Sequence, residues 1–296
     1  MTQPEYIAGS SSGGVGPALA EFTRVITLEL SSQALELPGF PEVALRVRQA
    51  LNRDDIAIDE VVRLVGAEPS LAVRLLQLAN SVALNPGTQR ITTLRAAITR
   101  VGFNLARSAT IAFAMSQMRR GEAWRGLEGG FRDIWEMSAR LAATSYSLAR
   151  HCGRADADQA LLAGMLNAVG KLYILTRVSR FPVLFGDASL SAEIEKVWQA
   201  RAARALLARW ELGEEVLGAA CEFELAQVPG ARAASLSDVL LAARYLVGCA
   251  IPAELHGAAF LASAPFARLR LDAGAASQVL ESATEEIASL RAALAD

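Results

Sequence analysis

The sequence predicts an all-α fold, and three observations carry that prediction. Apolar residues recur at helical spacing in one segment after another. Ala and Leu, both good helix formers, make up much of a composition that is 52% hydrophobic. No run alternates apolar and polar residues as a half-buried strand would, and no hairpin turn signal separates two such runs.

The elements follow in chain order. Residues 1–16 are rich in Gly and Ser and are expected to form a tail. Leu19, Phe22, Val25, Ile26 and Leu28 lie near a 3.6-residue period, which predicts a helix over 17–34. Pro38 and Pro41 interrupt the chain. Position 41 suits the first turn of the next helix, where an N–H would have no partner anyway. Over 69–81, Pro69 stands near the start and Leu71, Leu75, Leu78 and Ala79 form one apolar stripe, with Arg74 and Gln77 off it. Asn80 reads as a C-terminal cap or a side chain that ties down the following loop. Residues 92–118 are helical with an interruption at Gly102, which marks either a close helix contact or a boundary between two helices. Phe113, Met115 and Met118 are expected in the core.

The Gly-rich, charged stretch 120–130 reads as a connection between an N-terminal helical subdomain, 17–120, and a second one, 121–296. Helices are predicted at 131–151, 157–177, 191–209, 213–226, 235–248 and 274–292. Ser235 and Asp238 have capping-box spacing. Arg201, Arg204 and Arg209 share a helix with Leu206, Leu207 and Trp210, as an amphipathic helix with a solvated Arg face would.

Bulk properties narrow the function. The chain of 296 residues has 29 Lys+Arg against 31 Asp+Glu, a net charge of −2. That balance argues against a broad nucleic-acid footprint, which needs clustered positive charge. No apolar stretch reaches the length of a spanning helix, about 18 residues, and no secretory leader opens the chain. Cys152, Cys221 and Cys249 are far apart, with no paired spacing, as expected of reduced thiols in a cytoplasmic protein. There is no phosphate-binding Gly loop with its Lys, and no Gly-x-Ser-x-Gly elbow. His151 reads as a helix C-terminal residue favoured by the dipole there, and His256 has no second ligand at helical spacing.

Three motifs in register carry a family resemblance: LPGFPEVALRVRQAL at 37–51, EPSLAVRLLQLANS at 68–81 and ITTLRAAITRVGFNLAR at 91–107. Over roughly residues 35–225 the chain resembles the HDOD family, the HD-related output domains of bacterial signalling proteins. The resemblance implies a multi-helix HD-like bundle with an N-terminal helical subdomain. An active relative would carry a His-Asp pair before Ile-Gly-Lys; here Asn167-Ala168 precede Val169-Gly170-Lys171. Other expected ligand positions hold Met137, Val197-Trp198, Glu222-Phe223-Glu224 and Ala243-Arg244. A divalent metal needs carboxylates or imidazoles, and a guanidinium supplies neither.

The resemblance therefore implies no catalytic residue, no metal and no cofactor. A vestigial pocket is expected from Asn167, Lys171, Arg244, Met137 and Arg140. Asn167 and Lys171, four residues apart on one predicted helix, would share a face and could hold a phosphate. The expected activity is regulation through binding signalling proteins in trans, since no receiver, GGDEF or EAL segment accompanies the domain. A homodimer is compatible with this, although no residue specifies one. Two alternatives remain: a sensor for a nucleotide or other phosphorylated ligand, and a residual metal-dependent phosphohydrolase.

Overall fold

The computed structural model describes residues 14–32, 37, 42–53, 55–87, 89–118, 121–208, 210, 212–222, 233–248, 264–282 and 284–295. All regular structure among the described residues is helical. Helix α1 (Val15–Ser31) starts inside the segment expected as a tail and buries Phe22, Val25 and Ile26. Leu28, counted in the same stripe, is instead exposed. Helices α2 (Glu42–Leu51), α3 (Ile58–Gly66), α4 (Pro69–Ala79) and α5 (Leu94–Met118) follow. Position 41 lies outside the described residues. Helix α3 went unpredicted: it is short and its N-cap is Ala57, so no capping side chain announces it.

The α4 stripe is buried as expected, but Arg74 is buried with it, and its guanidinium donates to the Ala293 carbonyl at 3.4 Å. Asn80 is both cap and tie. Its side-chain amide donates to the Leu76 and Ile91 carbonyls, each at 2.8 Å, and its Oδ1 accepts the Ile91 N–H at 2.8 Å. Gly102 has φ 77° and ψ 164° inside α5, and an added Cβ there would meet no atom within 4 Å. It is a backbone break that needs glycine, not a close helix contact. Phe113, Met115 and Met118 are in the core.

A short 3-10 turn (Glu122–Trp124) lies within the expected connection, and buries Trp124 edge-on against Phe131 with ring centroids 4.8 Å apart. Helix α6 (Glu128–Cys152) ends at Gly153 in the left-handed region, which donates its N–H to Ala149; His151 is exposed in the last turn. The single helix expected over 157–177 is two, α7 (Ala157–Leu166) and α8 (Val169–Leu175), with a break at Asn167-Ala168. Then come α9 (Pro182–Phe185), α10 (Ala188–Ala208), α11 (Glu214–Glu222), α12 (Leu236–Leu246), α13 (Ala264–Leu269), α14 (Ala273–Ser282) and α15 (Thr284–Ala295). The last two replace the one helix expected over 274–292. In α10, Leu206 and Leu207 are buried, as is Trp210 just beyond it. Arg204 pairs with Glu214 at 2.6 Å, and Arg201 lies over the Trp198 ring. Arg209 lies outside the described residues.

Helix α7 is the centre of the packing: α5, α6, α11 and α12 all pack against it. The approach of α6 is set by Gly164, where an added Cβ would stand 2.6 Å from the Ala142 Cα. The first and last described helices each pack against helices distant in sequence. Helix α1 packs on α9 and α10, where Phe22 makes edge contacts with Phe181, Phe185 and Trp198, and Arg177 pairs with Glu29 at 2.6 Å. Helix α15 returns to α4, α5 and α6. Among the described residues no helix is long and apolar enough to cross a membrane.

Candidate functional site

The break between α7 and α8 places Asn167 at the C-terminus of α7, 3% exposed, on a helix that packs against α11 and α12. Its Oδ1 accepts a hydrogen bond from Arg244 Nη1 at 2.5 Å, and its Nδ2 donates to the Ala220 carbonyl at 3.3 Å. One side chain thus joins α7, α11 and α12. Arg244 reaches it from the last turn of α12, where a cation is also favoured by the helix dipole.

The other expected pocket residues do not join this pair. Asn167 and Lys171 would share a face only on a continuous helix, and the chain breaks between them. Lys171 instead pairs with Glu195 of α10 at 2.9 Å, with both side chains about one-third exposed (37% and 34%). Arg140 is exposed on α6, and donates to the Val247 carbonyl at 3.4 Å. Met137 is half-buried on α6. Each of these cations has a protein partner: Glu195 for Lys171, the Val247 carbonyl for Arg140 and Asn167 for Arg244.

The residues present do not fit a divalent metal. Ala168 has no donor atom. The Asn167 carbonyl oxygen, the one hard neutral donor of that pair, accepts from a guanidinium that would repel a cation. Among the described residues no group of three or more His, Cys, Asp or Glu is placed to hold a metal. Trp198 is buried core and Val197 packs against it. The Glu222 side chain, Phe223, Glu224 and His256 lie outside the described residues. Cys152 is half-buried and burial pushes its thiol up, Cys221 is buried, and Cys249 lies outside the described residues.

Sequence reasoning missed Asp158, in the first turn of α7. Burial, and then repulsion from Asp156, push its carboxyl from its ordinary value of 3.8 up to about 6. The folded state therefore binds this proton more tightly than the unfolded state. The stability it contributes is fully present below 3.8, and is lost as pH rises through 6. Asp158→Asn is expected to stabilise the protein at pH 7.5 by about 1 kcal/mol, after allowance for residual solvent and the favourable helix dipole. At pH 3.5 it should change nothing. Urea unfolding at the two values checks this, and an equal effect at both would count against it.

The class is now defined: an all-helical bundle in which Asn167, Ala168 and Arg244 offer neither carboxylate nor imidazole to a metal. The HDOD domain model matches residues 37–222, and the chain belongs to this family. No curated protein matches it. Among solved structures it is similar to a protein from Shewanella amazonensis SB2B named as a candidate metal-dependent phosphohydrolase. The two share 21% identity over 94% of this chain and 99% of that one, with a TM-score of 0.75. An HDOD domain protein of unknown function from Geobacter sulfurreducens shares 21% identity over 93% and 98%, with a TM-score of 0.62. A candidate signal transduction protein from Marinobacter aquaeolei VT8 shares 18% identity over 95% and 66%, with a TM-score of 0.60. At these identities the likeness shows the fold.

Proposed function

We propose that this chain is a non-catalytic regulatory domain of bacterial signalling that acts in the cytoplasm by binding other proteins. Family membership supports the regulatory part of this reading. The single observation that supports the non-catalytic part is the Arg244–Asn167 hydrogen bond, which holds a permanent cation against the side chain that stands where the family resemblance expects a metal ligand. With Lys171 and Arg140 engaged by protein groups, surface recognition is the reading the fold supports best.

Calorimetric titration with Mn²⁺, together with a phosphodiesterase assay on bis(p-nitrophenyl) phosphate, tests the non-catalytic part. The expected result is no stoichiometric tight binding and no turnover above background. Stoichiometric Mn²⁺ uptake, or turnover that disappears in Asn167→Ala, would overturn it. Affinity capture from the native host tests the partner-binding part. Recovery of the same signalling protein in repeated captures is expected, and repeated captures without one would count against it.

A further inference from the structure

A groove between α2 and α3 stands apart from the Asn167–Arg244 pair. Glu60, Arg63 and Leu64 of α3 and its C-cap Ala67 fall at i, i+3, i+4 and i+7, so they share one face. Val61 and Val65 occupy the other face and are fully buried. With Arg46 of α2, the first set lines a cavity of about 340 Å³. That volume lies at the lower end of the range for binding clefts, about 300–1,000 Å³.

The charges along this groove are unevenly matched. Three nearby acids are engaged: Glu60 accepts from Arg53 at 2.9 Å, Asp55 pairs with Arg53 at 3.3 Å, and Asp59 pairs with Arg95, while the half-buried Glu68 beside Ala67 makes no side-chain hydrogen bond or ion pair among the described residues. Arg46 and Arg63 are exposed and make no hydrogen bond or ion pair among the described residues. The chain as a whole carries −2, so two unmatched guanidiniums beside an apolar floor are a local departure from its charge.

We propose that this groove docks an acidic segment of a partner protein, which seats apolar side chains on Leu64 and Ala67 and places carboxylates on Arg46 and Arg63. The proposal rests on the partner-binding reading above. Guanidinium–carboxylate pairs supply orientation and steering, and the apolar floor excludes water from them. Two cations are too few to follow a phosphate backbone, which sets this occupant apart from a nucleic acid.

Fluorescence anisotropy with a labelled Glu-Leu-Leu-Glu-Glu-Leu-Leu-Glu peptide tests the proposal, with the Lys-for-Glu counterpart and a labelled DNA duplex as competing probes. Saturable binding of the acidic peptide is expected, weakening with salt and falling at least about tenfold in R46E/R63E. R46A/R63A should fall by less. Both arginines are exposed, so the melting temperature should not move in either variant. No saturable binding of the acidic peptide, equal binding of the Lys peptide, tighter binding of the duplex, or unchanged affinity in R46E/R63E would each overturn it. A native partner captured equally well by R46E/R63E also overturns the groove, while leaving the partner-binding reading standing.

Discussion

Asp238→Ala is expected to lower the unfolding free energy by about 3–5 kcal/mol, the range for breaking one half of a buried ion pair. Asp238 is fully buried, and its partner Arg268 is 7% exposed. Oδ1 accepts from Arg268 Nη2 at 2.6 Å and from Nε at 3.0 Å. Oδ2 accepts from the Ser235 N–H at 2.9 Å and the Ser235 hydroxyl at 3.0 Å. One carboxylate thus closes the N-terminus of α12 and holds α13 against it. Removing it strips a buried guanidinium of its counter-charge and opens the capping box in the same step. The double replacement Asp238→Leu with Arg268→Met removes both charges and should recover most of the loss, because desolvating the pair no longer has to be offset. Urea unfolding of both variants checks this. A double variant as unstable as the single one would mean that shape rather than charge holds α13.

Gly170→Ala is expected to cost about 3 kcal/mol, the upper end of overpacking penalties. A Cβ at residue 170 would collide with the Gln199 carbonyl oxygen and stand 2.9 Å from its carbon and 3.1 Å from the Ala203 N. These are backbone atoms of α10, so no rotamer change relieves the clash. Helices α8 and α10 must separate, which also stretches the Lys171–Glu195 pair between them. A melting temperature within one degree or so of the parent, on the scale of about 2–4 °C per kcal/mol for a chain near this size, would show that the two helices slide apart freely.

Gly170 belongs to the Val-Gly-Lys stretch, and the family pattern marked that stretch as important for a different reason. Along the sequence it follows Asn167-Ala168, where the resemblance expects a His-Asp pair. In the structure the Gly is a helix-packing contact, and the Lys is half of a surface ion pair. Similar divergences recur. The Ser235–Asp238 spacing announced a capping box, but Arg268, thirty positions further along, left no local trace. The α1 stripe announced a buried face, and nothing in it named α9 and α10 as the surface it covers. Arg74 lay off an apolar stripe, yet the C-terminal helix closes over it.

The Asn167–Arg244 pair divides the same way. That residues 167, 168 and 244 lack metal-ligand atoms is a property of side-chain identity, and identity is read directly from the chain. Asn167 and Arg244 are two of the five residues expected around one pocket, and only the tertiary structure brings the Arg244 guanidinium to the Asn167 side chain, at 2.5 Å. That Lys171 would stay with Asn167 followed from assuming a continuous helix, and a two-residue break undid it.

Periodicity, caps, glycine positions and donor chemistry are interactions within a few residues, so they are written locally and survive in the linear order of amino acids. Which carbonyl an arginine reaches, which backbone a glycine admits, and whether two cations share a cavity depend on residues tens to hundreds of positions apart. Those meetings are settled by how helices pack and where they break, because close packing leaves each side chain few neighbours to choose from.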